Sequence, residues 1–140
     1  MNNENTNTNV LNVGIGDPTK NLTIQDIKVE NVTFEDNRSS NKAVLVCETG
    51  DGRVIDVSEA WTKDKKGISK VQGLWVNLDN NEKLAANSVL AKFLTYNKVG
   101  TLNELVGKTL TGYPDLKDYT VFTTFDDPIA DTTQESVFDN

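Results

Sequence analysis

Alternating apolar and polar positions fill the first half of this chain and predict β-strands there. The strand-forming runs are Ile24 to Phe34, Ala43 to Cys47, Arg53 to Trp61 and Ile68 to Leu78. Glycine and polar clusters separate these runs, as is typical of tight turns. The pattern predicts a β-rich domain.

The first of these runs changes phase along its length. Ile27 and Val29 fall on one face, whereas Val32 and Phe34 fall on the other. A one-residue slip in a period-two pattern is typical of a β-bulge, which bends a strand around a barrel corner. We therefore expect a bulged first strand.

Helical periodicity replaces the strand pattern in the second half. The apolar residues between Leu84 and Asn97 recur at helical spacing, and Gly100 marks the end. Thr101-x-x-Glu104 is a capping-box pattern that predicts a short helix over Leu102 to Val106. Two helices are thus expected before the chain returns to strands.

The order of these runs is three strands, a helical insertion, and then two strands, Lys108 to Tyr113 and Tyr119 to Phe125. This order predicts a mainly β fold, an OB-like Greek-key barrel of five strands with the helical insertion between strands 3 and 4. A generic small β-barrel or sandwich with a helical lid is the alternative. We expect a disordered Asn/Thr-rich arm over 1–19, the folded domain over 20–125, and a flexible acidic tail over 126–140.

Charge is unevenly distributed along the chain. The 21 acidic residues exceed the 14 basic ones by seven, which gives the net charge of -7. All basic residues lie between Lys20 and Lys117, and the acidic surplus comes from the two ends. A neutral body with an acidic end is compatible with a module that handles a polyanion.

Two composition features restrict the chemistry. Histidine is absent and Cys47 is the only cysteine, which excludes Ser-His and Cys-His nucleophile pairs and histidine-ligated zinc. We predict that the protein is not an enzyme and has no catalytic residues, no metal site and no cofactor. Without a membrane-length apolar run or a secretory leader, we expect it in the cytoplasm, the host cytoplasm if it is viral.

Basic and aromatic residues cluster around one predicted hairpin. An OB barrel binds single strands through a basic groove and aromatic stacking, at roughly 1–3 kcal/mol per stacked base. Trp75 lies between Leu74 and Val76, so an aliphatic core face would leave its indole on the outside. The predicted nucleic-acid-binding residues are Arg53, Trp61, Lys63, Lys65, Lys66, Lys70, Trp75, Tyr113 and Tyr119.

The acidic end is the second candidate site. Its carboxylates surround a few apolar residues, so it could steer and anchor a partner protein or compete for the basic groove. The predicted partner-binding residues are Asp126, Asp127, Asp131, Glu135, Phe138 and Asp139.

The element order, the basic hairpin bordered by Trp61 and Trp75, and the acidic tail with Phe138 resemble small single-stranded DNA-binding proteins of bacteria and phages. The resemblance implies an OB-fold body that coats transient single strands of DNA, or RNA, during replication, recombination or repair. It also implies a tail that recruits replication or repair proteins. No membrane contact is expected, and self-association stays open.

Two other classes of function remain as alternatives. An acidic protein could bind a host nuclease or defence enzyme and mimic DNA as an inhibitor. A β-barrel body with polar arms also suits a structural component of a virion.

Overall fold

The computed structural model describes residues 19–128, and the structural statements below concern that part of the chain. It forms a seven-stranded mixed sheet with one α-helix and one 3₁₀ helix, which confirms the mainly β prediction. The elements are β1 (Lys20–Thr33), β2 (Ser39–Thr49), β3 (Val54–Val57), β4 (Glu59–Lys63), β5 (Ser69–Gly73), α1 (Val89–Tyr96), the 3₁₀ helix (Leu102–Leu105), β6 (Thr109–Pro114) and β7 (Thr120–Thr123).

The strand order across the sheet is β3-β2-β1-β6-β7-β4-β5. Neighbouring strands are antiparallel, except that β4 and β7 run parallel. The parallel pair joins the hairpin of β4 and β5 to the rest of the sheet. Segments far apart in sequence therefore meet at this point.

The predicted bulge in the first strand is confirmed, although it lies earlier than the change of phase indicated. The register of β1 against β2 shifts between Ile24 and Asp26, so Gln25 is the extra residue. Leu22 and Ile24 are buried before the shift, and Ile27 packs against the core after it. The bulge thus keeps alternate apolar residues directed at the core.

The sheet has seven strands and does not close into a barrel, so the strand count differs from the predicted five. The expected strand Arg53 to Trp61 is interrupted at Ser58, and its two halves, β3 and β4, pair with different strands. The expected strand Ile68 to Leu78 begins at Ser69 and ends as β5 at Gly73.

A short pairing links the chain after β5 to the start of β2. The Ala43 N–H donates to Leu74 O at 2.9 Å, and the Val76 N–H donates to Asn41 O at 2.8 Å. These bonds place Trp75 beside Lys42. They bring the two ends of the sheet towards each other without closing it.

The helix α1 is shorter than the predicted span of Leu84 to Asn97. It begins after Ser88, whose side-chain oxygen accepts from the Ala91 N–H at 3.1 Å, as an N-cap does. Its buried residues are Leu90, Phe93 and Leu94. The Phe93 ring stacks on Phe122 of β7 with centroids 5.4 Å apart, which fixes α1 against the sheet.

Trp61 is part of the interior, with no exposed surface. Its indole N–H donates to Pro114 O at 3.0 Å, so the polar edge of this large side chain is satisfied by β6. Cys47 is also fully buried, and desolvation raises the pKa of its thiol to about 12.

Three turns use the same Asp arrangement. Asp64, Asp79 and Asp115 each accept backbone N–H bonds from the residues two and four positions later. The position between those donors has a positive φ and is occupied by Gly67, Glu82 or Asp118. A carboxylate that accepts two amide bonds closes each turn.

Within residues 19–128, no helix is both long and apolar enough to cross a membrane.

We expect Trp61→Phe to lower the free energy of unfolding by about 2–3 kcal/mol, because it removes the bond to Pro114 and leaves a small cavity. Urea unfolding followed by circular dichroism measures this change. Trp75→Phe is the matched control and should cost under about 1 kcal/mol, since its indole is half-buried and its N–H has no acceptor within the described chain. Equal losses of unfolding free energy in the two variants would contradict a stabilising role for the hydrogen bond from Trp61 to Pro114.

Asp64 should contribute to stability through its charge. Its pKa is lowered from 3.8, chiefly by the bond from the Ile68 N–H, so the folded state binds its proton less readily than the unfolded state. The contribution is therefore present above the unfolded pKa and is lost as the pH falls through the folded pKa.

Asp64→Asn keeps the side-chain oxygen acceptor and removes the charge. Between about pH 5 and pH 3, the unfolding free energy of the variant should fall less than that of the wild type. Denaturant titrations at each pH measure the two slopes. Asp26→Asn, at an exposed acid with no side-chain bond in the described chain, is the control; a wild-type slope in Asp64→Asn would contradict the assignment.

Candidate nucleic-acid interface

Two adjoining grooves lie beside α1. The first, here called the Trp75 groove, has a volume of about 460 Å³ and is lined by residues that include Gln72, Gly73, Trp75, Asn77, Asn87 and Lys92. The second, the Lys63 groove, has a volume of about 380 Å³ and is lined by residues that include Lys63, Ala86, Lys92, Tyr96, Thr124 and Phe125. Lys92 lines both grooves, so together they form one continuous surface, here called the α1 surface.

The α1 surface carries no acidic residue. Among all residues lining its two grooves, which lie within the described chain, Lys63 and Lys92 are charged and none is Asp or Glu. The Lys92 side chain is exposed and forms no ion pair within residues 19–128. In a chain of net charge -7, the residues lining this surface thus carry a formal charge of +2, and Asp126, bonded to Tyr96, adjoins them.

Trp75 contributes the edge of its indole to this surface. A Cβ on residue 73 would lie 2.6 Å from Trp75 Nε1, so the indole edge covers the Gly73 backbone inside the Trp75 groove. Phe34 tilts against the indole at 5.6 Å, and Lys42 Nζ lies 5.1 Å from its centroid. The half-buried ring is thus held in place by its neighbours, with its Nε1 edge against Gly73.

An aromatic ring and a cation also meet in the Lys63 groove. Lys63 Nζ lies 4.7 Å from the centroid of the Phe125 ring, within the range of a cation–π contact. Tyr96 lines the same groove and donates its hydroxyl proton to Asp126 Oδ1 at 2.8 Å. Desolvation, together with that bond, raises the pKa of Tyr96 to about 12.

The lysines of the predicted hairpin are divided between two surfaces. Lys63 lines the α1 surface, whereas Lys70 lines a different groove beside Tyr119. Lys65 and Lys66 lie exposed in the turn, where Asp64 accepts the Lys66 N–H at 2.8 Å. The hairpin pattern suggested that all four ammonium groups would converge in one groove, and they do not.

The grooves around Tyr119 differ from the α1 surface in charge. Tyr119 is 68 % exposed and lies between two of them. One contains Lys70 and Lys117 with Glu59 and Asp115, and the other contains Lys20 and Arg53 with Asp56 and Asp118. Each is formally neutral, so neither attracts a polyanion.

Two predicted contact residues are placed where they cannot act with the others. Trp61 is fully buried, so the prediction that its ring contacts a nucleic acid is wrong. Arg53 lies at the turn between β2 and β3, not on the strand of Trp61, and its Nε is 3.0 Å from Asp51 Oδ2. It is therefore ion-paired and remote from the Lys63 groove along the sheet order. Tyr113 lines a fifth groove, together with Tyr96 and Phe93.

The acidic end is described only at its beginning. Asp126 is bonded to Tyr96 of α1, and Pro128 is fully buried. The packed body therefore continues to Pro128, three residues beyond the predicted boundary. The predicted partner residues Asp131, Glu135, Phe138 and Asp139, and the arm before Thr19, lie outside the described residues.

Sequence patterns missed three residues of the α1 surface. Lys92 precedes buried Phe93 on α1, and its helical position indicates exposure without indicating which groove it meets. Asn77 and Asn87 belong to polar stretches that resemble ordinary loops. Both line the Trp75 groove, where the Ala85 N–H donates to Asn77 O at 2.8 Å and so joins the two stretches.

No protein-family model matches the sequence, no curated protein matches it, and no solved structure matches its fold. A proposal about function therefore depends on the geometry of the structure.

Proposed function

We propose that this protein binds single-stranded DNA or RNA along the α1 surface and coats transient single strands. The observation that carries the proposal is the absence of carboxylates among the groove-lining residues, beside Lys63 and Lys92, in an otherwise acidic chain. Proteins that bind single strands combine a positive groove with aromatic side chains. Trp75 and Phe125 supply the aromatic groups here.

An OB-like body is part of this proposal. Only Ser58 separates β3 from β4, and the stretch from Val54 to Lys63 can be taken as one bent strand that meets β2 first and β7 later. With β1, β2, β6 and β7 it makes five strands, and β5 and α1 form an insertion between the third and the fourth. A five-stranded, partly open Greek-key arrangement is the form of an OB-fold.

The modest local charge favours single strands over duplexes. Two lysines on the α1 surface release few counterions, whereas duplex binding by backbone contacts needs many. A flexible single strand can also place its bases against Trp75 and Phe125. Recruitment of a partner through the acidic residues after Phe125 remains a separate part of the proposal.

Binding should be visible in the tryptophan emission. We expect an oligo-dT of about 30 nucleotides to quench the fluorescence at low salt, and the quench to diminish as salt is added. Trp61 is buried and should not respond, so Trp75→Phe should remove most of the quench. A gel-shift titration run in parallel reports binding itself; no shift of the wild type at low salt would refute the proposal.

Charge reversal identifies the surface. Lys63→Glu with Lys92→Glu should weaken oligo-dT binding by more than about tenfold and lower the salt slope by about 1.4, from 0.7 for each phosphate contact. The matched control is Lys20→Glu with Lys117→Glu, which makes the same change of charge in the grooves around Tyr119. Equal losses in the two double variants would mean that net charge, and not the α1 surface, governs binding.

A further inference from the structure

Unused hydrogen-bond donors collect in the Trp75 groove. The Trp75 N–H edge lies over Gly73 and has no acceptor within residues 19–128, whereas the Trp61 N–H is bonded to Pro114. The Trp75 N–H is therefore not committed to an acceptor within the described chain, and a buried indole N–H generally finds a partner.

Gln72 presents a second donor. Its Oε1 accepts from the Thr62 hydroxyl at 2.8 Å, so the carbonyl end of the amide is occupied and the NH₂ end remains. Lys92 adds an ammonium group that forms no ion pair in the described chain. These three groups bring several donors, and the one acceptor among them, Gln72 Oε1, already accepts one bond.

Two asparagines complete the groove. Asn77 and Asn87 are exposed, and their side-chain amides have no partner within residues 19–128. Their backbone positions are fixed, because the Ala85 N–H donates to Asn77 O at 2.8 Å and the Ser88 N–H donates to Ala85 O at 2.9 Å. Each amide offers one donor group and one acceptor, the combination that reads the edge of a base.

We propose that the Trp75 groove is a base subsite that prefers thymine or uracil to cytosine. The inference rests on the proposed function, since the base must arrive on a bound single strand. Thymine and uracil present two carbonyl oxygens on either side of an N–H, which an asparagine amide and additional donors can satisfy together. Cytosine carries an amino group in place of one carbonyl, and a groove in which donors outnumber free acceptors satisfies that group less well.

The volume and lining of the groove agree with this ligand. About 460 Å³ is within the range of small-molecule sites. An acidic residue in the lining would repel the neighbouring phosphates, and none is present. Lys92 belongs to both grooves, so it can bind the phosphate of the nucleotide whose base enters beside Trp75.

Thymine and cytosine are nearly equal in size, so their comparison separates base reading from general stacking. We expect oligo-dT to bind about tenfold more tightly than oligo-dC of equal length, as one well-placed base contact would give. Fluorescence anisotropy with 5′-labelled oligonucleotides at fixed salt measures both affinities. Oligo-dU should bind like oligo-dT, because the two share both carbonyls.

The variants Asn77→Ala and Asn87→Ala should reduce the ratio of the dT and dC affinities towards one, mainly by weakening dT. Asn103→Ala, an exposed asparagine in the 3₁₀ helix outside the groove, should leave the ratio unchanged. Lys92→Gln should weaken both oligonucleotides by a similar factor. Circular dichroism confirms that each variant is folded.

Three results would overturn the inference. Equal wild-type affinities for dT and dC, or a ratio that persists in Asn77→Ala with Asn87→Ala, would exclude base reading in this groove while leaving single-strand binding intact. A wild type that binds neither oligonucleotide at low salt would refute the proposed function and the subsite together.

Discussion

The stacking of Phe93 on Phe122 is the contact on which the arrangement of this surface depends. The two rings lie 5.4 Å apart and nearly parallel, and both are buried. Because β7 pairs with β4, this contact also sets the distance between α1 and the hairpin of β4 and β5. The grooves on the α1 surface are the spaces left between those elements, so their shape follows from the core beneath them.

A local charge pattern can bring a polyanion to a protein that is acidic overall. Exposed charges more than about 8–10 Å apart are largely screened at physiological salt, so the net charge of the chain matters less than the residues lining a groove. The grooves around Tyr119 are lined by lysines and carboxylates together, whereas the lining of the α1 surface includes Lys63 and Lys92 and no carboxylate. Lysines that are close together in sequence can thus line different surfaces of the folded protein.

Periodicity predicted the mainly β class, the bulged first strand and the position of the main helix. The predicted position of the bulge was too far along the strand. The change of phase that is visible in the sequence, near Val32, marks where β1 leaves the core, whereas the extra residue, Gln25, is inserted earlier. The break at Ser58 left no signal, since the residues around it suit a strand. A pairing partner far along the chain, β7, decides where that strand turns.

The burial of the two tryptophans likewise could not be predicted from the sequence alone. Trp61 follows Ile55 and Val57 in phase, which favours the core, but its burial is completed by Pro114 from the far end of the chain. Trp75 is half-buried because Phe34 and Lys42 come from the turn-forming ends of β1 and β2. Sequence alternation indicates which side chains share a face and cannot indicate what covers that face.

Chemical-shift mapping tests the location of binding most directly. In a titration of ¹⁵N-labelled protein with oligo-dT, we expect the largest amide shifts at Gly73, Trp75, Lys92 and Phe125, and also at the Trp75 indole N–H. The Trp61 indole and the turn containing Tyr119 should change little. Shifts centred on Tyr119, or none at low salt, would contradict the claim that the α1 surface holds the strand.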